Sequence, residues 1–407
     1  MAKKLLFLSS RLPYPPIGGD RLKNYWLLNI LSKHFKVHLV SIAEEDIPLE
    51  FYDWAESIGI TYKIFRKPKW KFYLNAFKGL FNNLPLQVNY YYFADIKKYI
   101  DSIYKNYDLI FAVLIRTSKY VMDIRKPKIL DITDSIGLNY LKSYKKSSSI
   151  FWRLIYRLEV DRLLNFENLC IDIFDKTLFV NNEERMYFNK PAKTEWIPNG
   201  VNEELFEYNK FDERYKNYIV FFGKMNYQPN IDAVMWFVRN VLPKINKDLK
   251  FAIVGAYPPK KILNLAKRYN NIKVTGYVKD PYLILKSSLC VVAPMQTGGG
   301  IQNKILESMA LGTINIVSSL AAKPIGAEHR KHYFVCDNPK EIAELIDNIY
   351  KNPQDFEHIK INARKFIRNN FTWKIYEDKL LKVINEILGG RYNVFYCDYR
   401  SYWVYRK

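Results

Sequence analysis

The stretch LCVVAPMQTGGGIQNKILESMALGTINIVS, residues 289–318, decides how this chain is read. It opens on one apolar run, 289–294, and closes on another, 313–318. Continuous short runs of this kind are strands buried on both faces. Between them Ile301, Ile305 and Met309 recur at i, i+4 and i+8. That spacing predicts a helix from Ile301 to Leu311, stopped by Gly312. Strand, helix and strand in so few residues make a parallel β-α-β unit. Gly298, Gly299 and Gly300 then lie at the carboxyl end of a buried strand, where open parallel sheets bind ligands. Asn303, Lys304 and Glu307 fall on the arc opposite the apolar stripe. Either that arc meets water, with Lys304 and Glu307 as a surface pair, or it receives a ligand. Three adjacent residues of maximal backbone entropy favour the ligand. Glycine amides and a helix N-terminus would take its phosphate.

The pattern repeats on both sides. KLLFLS (4–9), VHLVSI (37–42), LIFAVL (109–114), KILDIT (128–133) and KTLFV (176–180) form one series of strands. YIVFFG (218–223), KFAIVG (250–255), IKVTG (272–276), 289–294, 313–318 and HYFVC (332–336) form a second. Helical segments are expected at 21–34, near 49–57, at 149–170 and from about Ile231. The fold class is therefore α/β, with two Rossmann-like domains whose parallel sheets face a cleft. Expected boundaries are 1–195 for the first domain and 196–370 for the second. A helix over 371–388 returns to the first domain, and an aromatic, basic tail covers 389–407.

The 407 residues carry 63 basic and 41 acidic side chains, a net +22. Such a field favours nucleic acid, anionic membrane or phosphorylated ligands. No nucleic-acid motif is present, so nucleic acid is set aside. Cys170, Cys290, Cys336 and Cys397 lie far apart without metal-ligand spacing, which points away from zinc and towards a reducing compartment. The N-terminal apolar run is too short for a signal peptide, and no apolar run reaches membrane-spanning length. The expected setting is cytoplasmic.

After the first strand, PYPPIGGDR (13–21) places Gly18 and Gly19 before a helix beginning at Arg21, with Asp20 as its expected N-cap. Together with PNGVN (198–202), FFGKMNYQPNIDAVMWFVRNVLP (221–243) and 274–313, this loop resembles glycosyltransferase family 4, of the two-domain GT-B fold. The resemblance implies a retaining transferase that uses a nucleoside-diphosphate sugar without a bound metal or other cofactor. It implies a donor site on the second domain, formed by Asn199, Gly200, Lys224, Asn226, Gly298, Gly299, Gly300, Ile301, Gln302, Asn303, Lys304 and Glu307. Gly18 and Gly19 would close on the donor from the first domain. Glu307 matches the second acid of the family's E-x7-E motif and would hold the ribose. Lys224 falls where a phosphate-binding arginine is common. The sequence departs from the pattern at Gly299, which stands in place of the first acid, and at Pro229, which stands in place of a second basic residue. Lys304 would supply the missing charge.

ILDITDSIGLNY (129–140) offers Asp131 and Asp134 after a strand. Asp134 is the candidate catalytic base or acceptor ligand; a helix cap is its alternative role. KIFRKPKWKFYLNAFKGLF (63–81) mixes six basic residues with aromatics and has no acid. It suits a helix lying in an anionic membrane interface through Lys67, Lys69, Trp70, Lys71, Phe72, Phe77 and Lys78. Residues 144–158 are of similar composition. The expected function is sugar transfer to a glycan or polyprenyl-linked acceptor at the inner face of the cell membrane, in surface polysaccharide synthesis. A sugar-nucleotide epimerase and a non-catalytic sugar-nucleotide-binding subunit remain as alternatives.

Overall fold

In the computed structural model, residues 2–146, 150–298 and 300–389 are described. Gly299, the tail beyond Gly389 and part of the 144–158 segment lie outside them. The chain divides into two compact units. The first takes Met1–Ile197 and the chain from Glu377 onward; the second is Pro198–Tyr376.

The first unit is a seven-stranded, all-parallel sheet: β1 (Lys4–Ser9), β2 (Lys36–Ala43), β3 (Thr61–Arg66), β4 (Leu109–Val113), β5 (Lys128–Thr133), β6 (Lys176–Phe179) and β7 (Thr194–Trp196). Their order is β3-β2-β1-β4-β5-β6-β7. The central strands β1 and β4 are almost wholly buried. Phe7 pairs with Phe111 across them, the rings stacked at 5.4 Å. Burying each such side chain contributes about 1.5–3 kcal/mol.

The second unit repeats the design with six parallel strands: β8 (Tyr218–Phe222), β9 (Lys250–Val254), β10 (Ile272–Gly276), β11 (Cys290–Ala293), β12 (Asn315–Val317) and β13 (Phe334–Val335). Their order is β10-β9-β8-β11-β12-β13. In each sheet the strand order reverses direction once, between β1 and β4 and between β8 and β11. Those crevices, at the carboxyl ends of the strands, are where such sheets bind ligands.

Two strands escape the sequence patterns, β3 and β7. β3 is the sheet edge and is largely exposed, so its sequence, TYKIFR, lacks the continuous apolar run of a buried strand. This corrects the reading of 63–81 as one interfacial helix. Residues through Arg66 extend β3, and the helix is Lys69–Lys78, followed by a turn at Gly79–Phe81. Two of its expected membrane residues face inward. Phe72 is fully buried, its ring 5.0 Å from Tyr90 and 5.0 Å from Phe93. Lys67 is mostly buried and pairs with Asp95 at 2.5 Å. Lys69 is exposed and pairs with Glu45 at 3.3 Å. Trp70 and Phe77 remain 58% exposed, beside exposed Lys71 and Lys78. No helix of the described residues is long and apolar enough to cross a membrane.

The first helix spans Gly19–Leu31, so it starts before Arg21. Gly18, at φ 104°, occupies the cap position, and Asp20 lies inside the first turn. The Asp20 carboxylate accepts from Arg21 N–H through Oδ1 and from Arg11 through Oδ2, each at 3.0 Å.

Candidate functional site

The second unit assembles most of the expected donor residues at its β8–β11 crevice. The loop after β8 is pinned to the loop after β9, because Gly223 N–H donates to Val254 and Met225 N–H to Ala256. The approach is close enough to demand glycine. A Cβ on Gly255, at φ 151°, would stand 1.8 Å from the Gly223 carbonyl oxygen. This pinning presents Lys224 and Asn226, both exposed, at the mouth of the crevice. The Lys224 ammonium lies 5.5 Å from the Tyr257 ring centre.

After β11 the chain passes Gly298 at φ 106° and Gly300 at φ 73°, backbone conformations that favour glycine. The helix then spans Asn303–Ala310, two residues later than the apolar spacing predicts, with Gln302 as its N-cap and no side-chain cap. Ile301 is buried beneath the loop. The Asn303 side-chain Oδ1 accepts from the Asn199 side-chain Nδ2 at 3.2 Å. Gly200 next to it allows close contact with Thr372 and Trp373, where a Cβ would meet backbone at 2.3 Å.

Lys304 does not lie on a solvent arc with Glu307; it is only 8% exposed. It is enclosed because its Nζ reaches back to the end of β8, where a Cβ on Gly223 would stand 3.4 Å from it. It donates to the Asn230 side-chain oxygen, lies 3.7 Å from the Met295 sulfur and sits 4.6 Å from the Phe221 ring centre. Among the described residues no carboxylate pairs with it. Burial pulls its pKa down to about 7, with Glu307 opposing. Burial likewise pushes the Glu307 carboxyl up to about 8, with Lys304 opposing. Burial also raises the Tyr282 hydroxyl, with Glu307 and Asp280 adding to it. A buried lysine that among the described residues makes no ion pair is prepared for an anion, and Glu307, one helical turn away, is placed to accept from hydroxyls when ionised.

The sequence patterns do not single out Asn230. Its amide donates to the Lys224 carbonyl at 2.9 Å while its oxygen holds Lys304, so it ties the two lysine-bearing loops together. Nor do they single out Tyr282. Asn230 leaves no local signal, because its partner Lys304 is distant in sequence.

Asp134 and the Gly18–Gly19 turn belong to the first unit. Asp131 is fully buried and paired with Lys23 at 2.7 Å, which makes it internal structure. Asp134 does not cap the following helix; the Ser135 hydroxyl accepts from Leu138 N–H at 3.0 Å and takes that role. The Asp134 carboxyl is raised to about 6, by burial first and by Asp131 second. Its Oδ1 has no hydrogen-bond partner. Nearby, burial raises Glu184 to about 8 and Glu167 to about 7. Ser135 donates to both of these, from its backbone N–H and its hydroxyl respectively.

With this geometry in place, comparison with known proteins is direct. Residues 216–352 match the family of glycosyl transferases group 1. Over 394 residues the chain is 25% identical to an uncharacterized 44.6 kDa protein in the cps region of Klebsiella pneumoniae, covering 91% of this chain and 97% of that one. The fold matches crystal structures of glycosyltransferases. HepE of Anabaena, solved in complex with UDP, aligns over 94% of this chain and 100% of its own, with a TM-score of 0.66 at 15% identity. WaaG, described as a glycosyltransferase involved in lipopolysaccharide biosynthesis, aligns over 95% and 100%, with a TM-score of 0.67 at 13% identity. The two-unit architecture is accordingly the GT-B fold.

Proposed function

We propose that the protein is a glycosyltransferase that takes its sugar from a nucleoside diphosphate, with retention and without a metal ion. The observation that carries this reading is the buried Lys304 side chain, which donates to Asn230 and, among the described residues, makes no ion pair with a carboxylate. When the glycosidic bond breaks, negative charge accumulates on the leaving diphosphate. Lys304, Lys224 and the loop amides stabilise that charge in a site poor in water. Glu307 accepts hydrogen bonds from the ribose. With Gly299 where the family places an acid, the leaving-group contacts carry the catalysis, and the acceptor attacks on the face the diphosphate vacates. Asp134, whose carboxyl burial raises to about 6, is the first unit's candidate base.

HepE was solved with UDP and, in a further structure, with UDP-glucose, which supports a uridine nucleotide as donor. The Klebsiella relative in a cps region and WaaG support a role in surface polysaccharide or lipopolysaccharide assembly. The outward Trp70, Tyr73, Leu74, Phe77, Leu80 and Phe81, with Lys71 and Lys78, suit an anionic lipid surface. A panel of nucleotide sugars tested by thermal shift decides the donor: at least one raises the melting temperature without added metal. A panel with no response removes the reading. Flotation with anionic vesicles, weakened by replacing Trp70 and Phe77 with serine, tests the docking face.

A further inference from the structure

The β1–β4 crevice of the first unit is built from side chains where the second unit uses backbone. Arg11 follows β1, and Arg116 lies in the short turn after β4; the two strands are neighbours. The chain reaches Arg116 through Leu114, a non-glycine residue at φ 63°. Residues held in this way cluster at functional sites. Arg11 Nε donates to the Tyr91 hydroxyl at 3.1 Å, and its Nη1 meets Asp20 at 3.0 Å. Arg116 Nε donates to Gln87 Oε1 at 2.9 Å, and its guanidinium lies 5.1 Å from the same Tyr91 ring. Gln87 is itself oriented, donating to the Tyr140 hydroxyl at 2.8 Å.

Arg116 is thus aimed by neutral partners and Arg11 by one neutral and one acidic partner, and Tyr91 is common to them. Among the described residues, neither terminal nitrogen of Arg116 has a hydrogen-bond acceptor. The cluster holds two guanidinium charges against one carboxylate, Asp20, which Arg11 already engages. Burial and Arg11 both disfavour the charge on Arg116, while Tyr91 and Asp20 favour it. A pre-oriented fork of N–H donors with spare charge is the arrangement that binds oxyanions bidentately.

We propose that Arg116 and Arg11 form an oxyanion-binding site in the first unit, and that it takes a phosphate or carboxylate carried by the acceptor. Assignment of the oxyanion to an acceptor rests on the glycosyltransferase reading; the site itself does not. The test uses the full-length chain with the donor site saturated by UDP and inorganic phosphate as the probe, followed by phosphorus NMR line broadening. Phosphate binds the UDP-loaded protein, and Arg116→Gln and Arg11→Gln each weaken it about tenfold or more. Arg11 is substantially exposed, so its variant tests the site even where Arg116→Gln destabilises the fold. Acetate that competes as well as phosphate assigns a carboxylate; acetate that does not compete assigns a phosphate. Absence of phosphate binding, or binding unchanged in both variants, overturns the proposal. Calorimetry of UDP binding in the same samples reports on the donor reading separately.

Discussion

Lys23 in the first unit and Lys304 in the second are both buried lysines near the crevice of their own sheet, and their partners differ in kind. Lys23 ends on Asp131 at 2.7 Å, with both side chains almost wholly shielded. Lys304 ends on an amide oxygen, a sulfur and an aromatic face, and among the described residues it makes no ion pair with a carboxylate. One charge is neutralised within the fold. The other meets only neutral groups at hydrogen-bonding range among the described residues. Burial alone therefore does not mark a functional lysine; the chemistry of its partner does.

The comparison breaks most visibly at Lys23. Replacing it with methionine strands Asp131 without its counter-ion, and stability falls by about 3–5 kcal/mol in a denaturant melt. A neutral result would make Lys23 no more structural than Lys304. Lys304→Met should do the reverse. Its lowered pKa means the unfolded chain binds the proton more readily, a penalty that is complete below about pH 7 and fades as pH rises toward the ordinary lysine value. The variant is therefore as stable as the parent at pH 7, or more so, while UDP affinity drops by about tenfold or more. Equal UDP affinity would remove Lys304 from the donor site.

A finer test is proton linkage. At pH 8 Lys304 is mostly neutral, and a bound diphosphate restores its charge, so it takes up a fraction of a proton. Glu307, raised to about 8, releases protons when a ribose donates to it. Calorimetry in buffers of different ionisation heat should show the uptake vanish in Lys304→Met and the release vanish in Glu307→Gln. The same net proton count in all three proteins would separate these groups from binding.

How much of this is legible in the sequence follows from the range of the contacts. The second unit's site rests on β11, its glycine loop and the helix after it, one short continuous stretch, and its strands are continuous apolar runs. The direction of Lys304 is not legible, since helical periodicity alone sets it off the Ile301–Ile305–Met309 stripe, while Asn230 and Phe221, far away in sequence, draw it inside. The first unit's arginine site gathers Arg11, Gln87, Tyr91, Arg116 and Tyr140 from separate elements, and no spacing announces it. Edge strand β3 was hidden for a different reason: exposed strands carry polar residues, so basic charge there imitates an amphipathic helix.

The crossing between the units carries a last consequence. The second unit begins and ends side by side, with Val201 N–H donating to the Phe371 carbonyl at 2.8 Å and Val201 bridging Thr372. The helix that follows, Trp373–Gly389, anchors to the first unit through Glu377, which meets His34 at 2.7 Å. Were the Pro198–Tyr376 segment unfolded, that anchor would have to close a long flexible loop, at a cost on the order of 4–5 kcal/mol of chain entropy. Folded and clasped, the segment removes that cost. A defect deep in the second unit thus loosens the anchor of the last helix at Glu377 through the connectivity of the chain.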